Sequence, residues 1–400
     1  MSSNAPTKVA AHWSFAIFAC TLLAFVAESE LTQYLQTDLG YRQPFFIFYL
    51  VHSSLAITLP FHLLYLTATT KYSAAALCNG LIIALTNHLA PNQDSLSTRS
   101  GVPRLKFLGL ILALTVGITY PGLLWFCAIS LASVSDVTAI WNTNAFFAYL
   151  LTCKLKWEPR RLFAVSLATL GVLVVVYGGS TSTASDRSPS LEKRSSVKPS
   201  APLLGDLLTL IASFGYALYQ VLYKKYAALP SDPELVAETA YEQLPDSDQF
   251  ADTEYGTLVE GDAVYPPPFG LHPNLLTSAI GLCTLGLLWI FIPVLHIMGV
   301  EPFLLPPNLG VFFTIVGIAL SGVVFNAGFM VLLGLWGPII VSVGNLLTIV
   351  LVFISDVLFG AGVEAVTLGG VVGSGVIVAA FGLLVYDMLD KQRHAAEPHH

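Results

Sequence analysis

Residues 133 to 151 read SVSDVTAIWNTNAFFAYLL, a stretch that is long and apolar enough to cross a bilayer yet contains an aspartate and two asparagines. A charged side chain at bilayer depth costs roughly 2.5–3.5 kcal/mol on insertion scales, so it turns toward protein or a water-filled cavity. At the helical spacing of residues, Asp136 and Asn144 lie toward one side of the helix and Asn142 toward the opposite side. Because neither side suits lipid, we expect this helix to lie in the interior of a membrane protein.

The composition of the whole chain also indicates a membrane protein. Its 400 residues are 55% hydrophobic and 11% charged, with a mean hydropathy of +0.71, whereas soluble domains have about 25% charged residues. A hydrocarbon core of roughly 30 Å needs about 20 apolar residues per helix. Ten predominantly apolar runs of this length occur, over residues 11–31, 44–66, 107–127, 133–153, 161–178, 205–223, 273–296, 309–333, 336–358 and 367–386. The sequence therefore predicts an all-α polytopic membrane protein with ten transmembrane helices.

The Lys and Arg residues predict the orientation, because cytoplasmic loops contain an excess of them. With the N-terminus inside, thirteen of the 18 basic residues fall on the cytosolic side and five on the outer side, four of these within 179–204. Both termini are therefore expected in the cytosol. The net charge of −7 says little about partners, because its main source is one acidic segment.

The Ser- and Pro-rich segment 179–204 divides the ten runs into two sets of five. Its composition cannot form a packed core, so we expect a flexible linker. Because five is odd, the second set would enter the membrane from the opposite side, as in the inverted repeats of secondary transporters. Asn142 of the fourth run and Asn345 of the ninth are a trace of this repeat. The predicted organisation is a first five-helix repeat (1–178), the linker, a second five-helix repeat (205–386) and a cytosolic tail (387–400).

Two longer segments interrupt the pattern. Residues 67–106 form a predicted cytosolic insertion whose apolar patch, AAALCNGLIIAL, is too short to span and favours an interfacial or buried helix. Residues 227–270 carry ten acidic residues and no Lys or Arg. Such a composition is typical of a solvated disordered loop, with a partner-binding or regulated segment as the alternative.

Polar residues at helical spacing also occur in other runs. In ASFGYALYQVLYKKY (212–226), polar and aromatic side chains recur at steps of three and four and form one stripe. A single polar residue in a span is explained by interhelical hydrogen bonding. Stripes on five helices indicate a shared polar interior, and secondary transporters bind substrate at the interface of their repeats. The candidate substrate-binding residues are Glu28, Asp136, Asn142, Asn144, Tyr216, Gln220, Asn326 and Asn345.

Three of these candidates have a structural alternative. Asn142 could serve only interhelical packing. Asp136 lies close to the outer end of its helix, where an entrance or capping role is an alternative to ligand contact. Glu28 lies toward the outer end of its run and could be a solvated helix terminus, although it is also the favoured residue for binding a proton or a cationic ligand.

The embedded charges favour certain substrates over others. No Lys or Arg lies in the interior of the ten predicted spans, whereas multiply anionic ligands ordinarily need a fixed cation. Acidic and aromatic residues instead favour a cationic or neutral ligand that contains a ring. Lys224, at the inner end of the sixth span, is the residue that could reverse this inference.

The spacing of reactive residues does not indicate an enzyme. Metal or nucleophile chemistry needs clustered His, Cys, Asp or Ser at tight spacing, as in HExxH. Such a cluster is absent from the sequence, and the five Cys residues show neither a paired framework nor metal spacing. We therefore expect no catalytic residues, no metal and no cofactor.

Four segments carry a family resemblance: ELTQYLQTDLGYRQPFFIFYL (30–50), SVSDVTAIWNTNAFFAYLL (133–151), Glu158 ahead of LFAVSLATLGVLVVVYGG, and ASFGYALYQVLYKKY (212–226). Together they resemble the drug/metabolite transporter superfamily with paired EamA-type repeats, and within it the F-type subfamily of solute carrier family 35 and its fungal relatives.

The resemblance implies a bundle of ten helices in two inverted repeats that works by alternating access. Thiamine transport has been proposed for relatives in this branch, and other branches move nucleotide sugars. The residues that match by motif are Asp136, Asn142, Asn144, Tyr216 and Gln220. The segments 67–106 and 227–270 depart from the family pattern.

We therefore expect a secondary transporter of a small, ring-containing, thiamine-like metabolite. The alternatives are a nucleotide-sugar or other metabolite transporter of the same superfamily and a non-transporting scaffold or receptor. The expected partners are the small-molecule substrate and membrane lipid, without nucleic acid; proton coupling and a homodimer remain open. The expected location is a eukaryotic endomembrane, Golgi or vacuole, or the plasma membrane.

The orientation can be tested by labelling single cysteines in a variant that lacks the five native ones. An impermeant thiol reagent applied from the cytosolic side should label positions in 227–270 and spare those in 179–204, because the basic residues place these segments on opposite sides. Equal protection of both segments would contradict the predicted topology.

Overall fold

The computed structural model describes residues 5–90, 103–132, 134–153, 158–178, 201–229, 258–260, 263–359 and 366–395. Most of the predicted linker and residues 230–257 of the acidic segment lie outside this part of the chain, so their predicted disorder stays a prediction.

Helices account for most of the described chain. The first half contains α1 (Ala5–Thr37), α2 (Pro44–Ser54), α3 (Thr58–Thr69), α4 (Ala74–Leu89), α5 (Arg104–Leu131), α6 (Val134–Trp141), α7 (Asn144–Cys153) and α8 (Pro159–Gly178). The second half contains α9 (Pro202–Leu222), β1 (Leu258–Glu260), β2 (Ala263–Tyr265), α10 (Leu271–Leu287), α11 (Phe291–Ile297), α12 (Leu309–Asn345), α13 (Leu347–Phe359) and α14 (Leu368–Ala395). Short 3-10 turns join α2 to α3 and α10 to α11, and a π-helical turn, Tyr223–Ala227, extends α9.

Eight helical runs in the described chain are long and apolar enough to cross a membrane. They are Ser14–Gln36, Pro44–Thr69, Arg104–Trp125, Pro159–Tyr177, Pro202–Ala227, Leu271–Ile297, Leu309–Ser355 and Leu368–Asp390. These runs fit an all-α polytopic membrane protein. The fourth predicted span, 133–153, is instead divided into two short helices, and the run Leu309–Ser355 covers the eighth and ninth predicted spans together, so a count of ten stays a prediction.

Several predicted boundaries differ from the structure. The first helix continues past Glu28 and Glu30 to Thr37, so these acids do not end it. The last helix continues past residue 386 to Ala395, and the first part of the predicted tail is therefore helical. Both differences have one cause: a helix tolerates charged residues wherever they reach protein or water, so charge alone does not mark its end.

The chain divides into two compact units. The first comprises Met1–Glu30, Val116–Lys224 and Trp336–His400, and the second comprises Leu31–Thr115 and Lys225–Leu335. The four boundaries between the two units fall inside the helices α1, α5 and α12 and inside the π-helical turn that follows α9.

In the first unit, α8 and α14 pack closely through two glycines. A Cβ atom on Gly171 would lie 3.0 Å from the carbonyl oxygen of Gly373, and one on Gly373 would lie 2.7 Å from the carbonyl oxygen of Gly171. Small residues at a crossing allow this approach of two backbones in a membrane protein. At one end of the pair, Arg161 Nε lies 3.0 Å from Asp387 Oδ2. The crossing is reciprocal, since each helix contributes the same kind of residue.

In the second unit, the end of the predicted acidic loop forms a hairpin that packs on α4. Strands β1 and β2 pair antiparallel, with Val259 opposite Val264. Val264 is fully buried together with Leu77 and Leu81 of α4. The prediction of disorder up to residue 270 is therefore wrong for this end of the loop. Val264 buries its side chain against a helix that lies far away in the chain, which composition averaged over the acidic loop does not reveal.

In the second unit, a carboxylate caps the start of α2. The Glu301 carboxylate accepts hydrogen bonds from the backbone N–H groups of Phe45 and Phe46, both at 3.0 Å. These N–H groups have no partner inside the helix, and a carboxylate there also offsets the helix dipole. The Tyr41 hydroxyl donates to the carbonyl of Leu304 at 2.7 Å. Burial and the Glu301 carboxylate raise the pKa of Tyr41, which keeps this hydroxyl protonated.

The docking of the hairpin can be tested at Gly80, where an added Cβ would overlap the carbonyl oxygen of Val264. We expect Gly80→Ala to destabilise the protein by about 1–3 kcal/mol, as overpacking does, and to lower the thermal unfolding temperature in detergent. Gly109→Ala is the matched control, because a Cβ on Gly109 meets nothing within 4 Å and alanine favours a helix. Equal unfolding temperatures for the two variants would show that the hairpin does not pack there.

Candidate functional site

The first element of the candidate site is an interruption of the helix between α6 and α7, within the stretch SVSDVTAIWNTNAFFAYLL. Helix α6 ends at Trp141, residues 142 and 143 form a turn, and α7 begins at Asn144. The Thr143 N–H bonds the carbonyl of Ile140 at 3.0 Å, and the Thr143 carbonyl accepts from the Phe146 N–H at 2.9 Å. The regular i to i−4 pattern is therefore interrupted at Thr143.

Side chains satisfy the carbonyl groups around this break. Asn142 Nδ2 donates to the carbonyl of Thr138 at 2.8 Å, Thr143 Oγ1 donates to that of Ile140 at 2.6 Å, and Asn144 Nδ2 donates to that of Trp141 at 2.9 Å. In a bilayer, irregular backbone is tolerated only where protein or water satisfies its polar groups. The polar residues of the NTN sequence thus make the break possible.

A second break lies in the other half of the chain. Gly337 adopts a positive φ of 78° inside the long α12 and is followed by Pro338, which turns the helix. The helix breaks again at Leu346, whose N–H bonds the carbonyl of Val343 at 3.1 Å and whose carbonyl accepts from the Ile349 N–H at 3.1 Å. Residues 338–345 are therefore a short helical segment between two interruptions.

The two breaks share one geometry. At each, the residue that follows an asparagine, Thr143 or Leu346, donates to the carbonyl three residues earlier and accepts from the N–H three residues later. Two chain segments with different sequences thus have the same local hydrogen-bond pattern.

Helix α9 places one polar face against the first break. Ser213 Oγ donates to the carbonyl of Trp141 at 3.1 Å and lies 3.0 Å from Thr143 Oγ1. One turn further along, the ring of Tyr216 stacks on that of Trp141, with centroids 5.2 Å apart and planes at 29°. The polar stripe of α9 therefore faces the turn between α6 and α7.

The same face of α9 also meets the second broken segment. Ser342 Oγ donates to Gln220 Oε1 at 2.6 Å, and both residues are buried. Ser342 belongs to the segment 338–345. Ser213, Tyr216 and Gln220 share one side of a helix by their spacing, so α9 lies between the two broken segments and contacts both through one stripe.

Helix α1 contacts the second break from another side. A Cβ on Gly344 would lie 2.9 Å from the ring of Phe18, and Gly344 is the neighbour of Asn345. Glu28 lies on the same half of α1 as Phe18 by helical spacing and is half-buried. Because α1 continues to Thr37, Glu28 lies within the apolar run Ser14–Gln36 and is not at its end.

The structure brings together only some of the predicted site residues. Five of them belong to the first unit and lie at the two breaks or on the polar face of α9. They are Asn142, Asn144, Tyr216, Gln220 and Asn345.

Two other predicted residues, Asn326 and Asp136, have hydrogen bonds of their own. Asn326 belongs to the second unit, where its Nδ2 donates to the carbonyl of Gly322 in its own helix at 2.8 Å. Asp136 lies at the start of α6 and accepts a hydrogen bond of 2.5 Å from the hydroxyl of Tyr177 at the end of α8. This position agrees with the entrance or capping alternative for Asp136.

Sequence reasoning missed Ser342 and Thr143 as functional candidates. Ser342 stands alone in an apolar run, and only the long-range contact with Gln220 distinguishes it from a packed serine. The Gly337–Pro338 pair was an available signal, because it interrupts a helix close to both Ser342 and Asn345.

The described residues contain no group of three or more His, Cys, Asp or Glu that could hold a metal ion. What the site offers is hydrogen-bonding hydroxyls and amides beside a pair of stacked aromatic rings.

Comparisons with known proteins show similarity of fold. No family model matches the chain, and no curated protein matches it. A solved structure described as "Crystal structure of protein" is similar over 93% of this chain and 96% of that chain, with a TM-score of 0.51 and 14% sequence identity. At this identity the likeness concerns the fold alone.

The role of side chains at the first break can be tested at Thr143. Thr143→Val removes the hydroxyl that bonds the carbonyl of Ile140 and contacts Ser213, and we expect a loss of about 1–3 kcal/mol, measured as a lower unfolding temperature. Thr169→Val is the matched control, since Thr169 Oγ1 bonds the carbonyl of Val165 inside the regular helix α8 and, among the described residues, forms no hydrogen bond to another helix. Equal stability of the two variants would show that Thr143 does not support the break.

Proposed function

We propose that the chain is a secondary transporter of a small, ring-containing organic metabolite, built from two inverted five-helix repeats with ten membrane crossings. The observation that carries the proposal is the polar face of α9 between two helix breaks of the same geometry. Secondary transporters place their binding sites at discontinuous helices near the bilayer midplane, where two repeats meet.

Contacts within the first unit support ten crossings. The alternation of ten spans puts residues 131 and 201 on the outer side, and the Ala201 N–H bonds the carbonyl of Leu131 at 3.3 Å. It puts the start of α8 and the end of α14 on the cytosolic side, and there Arg161 pairs with Asp387. If α6 and α7 together did not cross, residues 131 and 201 would fall on opposite sides. If the run Leu309–Ser355 crossed only once, Arg161 and Asp387 would fall on opposite sides.

Contacts within the second unit support the same alternation. Residues 43 and 302 are both on the predicted outer side, and Gln43 Nε2 donates to the carbonyl of Pro302 at 2.9 Å. Residues 88 and 226 are both on the predicted cytosolic side, and His88 Nε2 lies 2.8 Å from the carbonyl oxygen of Tyr226.

The substrate is cationic or neutral and contains a ring, as thiamine does. The stacked pair Trp141 and Tyr216 offers an aromatic surface that attracts planar rings and cations. Glu28 is the acid in this part of α1 that we assign to a proton or a cationic group of the substrate. The resemblance to the F-type subfamily of solute carrier family 35 supports the same class of substrate.

A second candidate function is nucleotide-sugar transport. Lys224 follows Gln220 by four residues on α9, in line with the polar stripe, and its side chain is half-buried. The helical run continues to Ala227, so this cation lies inside the apolar run and not beyond it, unlike in the sequence prediction. A lysine there could bind a phosphate group.

The cellular setting follows from the proposal. The protein would lie in a eukaryotic endomembrane, Golgi or vacuole, or in the plasma membrane, with both termini in the cytosol. Its partners are the substrate and membrane lipid, and proton coupling and a homodimer are compatible with the site.

Counterflow in proteoliposomes tests the proposal. Vesicles preloaded with unlabelled thiamine should accumulate labelled thiamine through the wild-type protein, whereas a scaffold or receptor gives no accumulation. A parallel series with UDP-galactose tests the second candidate function. Counterflow of UDP-galactose without counterflow of thiamine would favour nucleotide-sugar transport, with Lys224 as the residue that binds the phosphate.

A pair of variants then tests the role of Glu28. Glu28→Gln should reduce thiamine uptake at least tenfold and flatten its pH dependence, because it removes a charge at nearly constant volume. Glu30→Gln is the matched control, as a neighbouring half-buried acid on a different side of α1, and should retain both. Normal uptake with an unchanged pH profile in Glu28→Gln would contradict the assigned role.

A further inference from the structure

The amide of Gln220 is fully buried, and only its oxygen has a hydrogen-bond partner among the described residues. Gln220 has an exposed fraction of 0%, and its Oε1 accepts the hydrogen bond from Ser342. Its Nε2 has no hydrogen-bond partner among the described residues. A buried amide nitrogen without a partner costs free energy, so such groups are rare in folded proteins.

An aromatic pair lies one turn from this amide. Tyr216, on the same face of α9, stacks on Trp141. Side chains four residues apart on a helix have Cβ atoms roughly 5–6 Å from each other, so Gln220 is the neighbour of this pair along the polar stripe. A ring that stacks there would place its own edge near Gln220.

Ser342 decides which atom of the amide is available. Because the Ser342 hydroxyl donates to Oε1, the amide presents its two N–H groups to the interior. An amide that is free to rotate could offer either a donor or an acceptor. In this hydrogen-bonded arrangement Gln220 therefore offers only donors.

We infer that Gln220 donates a hydrogen bond through Nε2 to an acceptor on the edge of a planar ring that stacks against Trp141 and Tyr216, and that Ser342 is the positioning residue. The ligand class is a planar ring with an in-plane acceptor, such as a pyrimidine nitrogen or a carbonyl oxygen. This inference rests on the proposed function, because it assigns a solute to the same interior.

The first experiment needs no ligand. Gln220→Met keeps the shape of the side chain and removes the unbonded N–H groups, and the Ser342 hydroxyl can then bond a carbonyl of its own helix. The unfolding temperature of Gln220→Met should therefore equal or exceed that of the wild type. A fall of more than about 5 °C, far beyond the cost of one replaceable bond, would show that the amide is bonded within the fold and would overturn the inference.

The second experiment compares thiamine with its two pyridyl analogues, in each of which one pyrimidine nitrogen is replaced by CH. In the wild type, one analogue should have a KM for counterflow about 2- to 12-fold above that of thiamine, the factor expected for one hydrogen bond. In Gln220→Met this ratio should fall to about 1. Ser342→Ala should lower the ratio and Ser342→Thr, which keeps the hydroxyl, should restore it.

Thr209→Val is the matched control in the same helix, because Thr209 is fully buried and its hydroxyl bonds only the carbonyl of Gly205. It should keep the wild-type ratio. A ratio that survives in Gln220→Met, or that is about 1 for both analogues in the wild type, would overturn the inference. Failure of the proposed function has a different result, because the wild-type protein would then show no counterflow of thiamine or of UDP-galactose. In that case the unfolding temperatures alone test whether Gln220 Nε2 has a partner within the fold.

Discussion

The requirement that every backbone carbonyl in a bilayer has a hydrogen-bond donor determines most of this structure. A regular helix meets it without side chains, whereas a broken helix needs substitutes. At the first break the side chains of Asn142, Thr143 and Asn144 donate to three carbonyls of the last turn of α6. This explains why an apolar stretch contains three polar residues in a row: they make an interruption stable where lipid-soluble sequence would continue as a helix.

The two breaks give the interior its chemical character. A regular span presents only side chains to its neighbours, but a broken one also exposes carbonyl groups, and Ser213 of α9 uses one of them. The second segment contributes a serine hydroxyl to Gln220. Because both segments meet one face of α9, a movement of either would change the contacts of the same stripe. This arrangement is suited to a site whose access depends on the positions of two helix segments.

The sequence predicted those features that depend on local pattern. Long apolar runs gave the membrane class and most helix positions, and the spacing of Ser213, Tyr216 and Gln220 gave the polar stripe of α9. It failed where distant residues decide. The β-hairpin forms because Val264 packs on Gly80, and Ser342 matters only through Gln220. Neither of these pairings leaves a periodic signal, since the two members lie far apart in the chain.

In the proposed transporter, the polar face of α9 lies in an interior that opens to each side of the membrane in turn. Ser213 is fully buried. A variant in which cysteine replaces Ser213 and is the sole cysteine can be treated in proteoliposomes with an impermeant thiol reagent on either side of the membrane. Alternating access predicts that the reagent modifies this cysteine from both sides and that the transported substrate, thiamine or UDP-galactose, protects it. Modification from one side alone, or from neither while uptake continues, would contradict it.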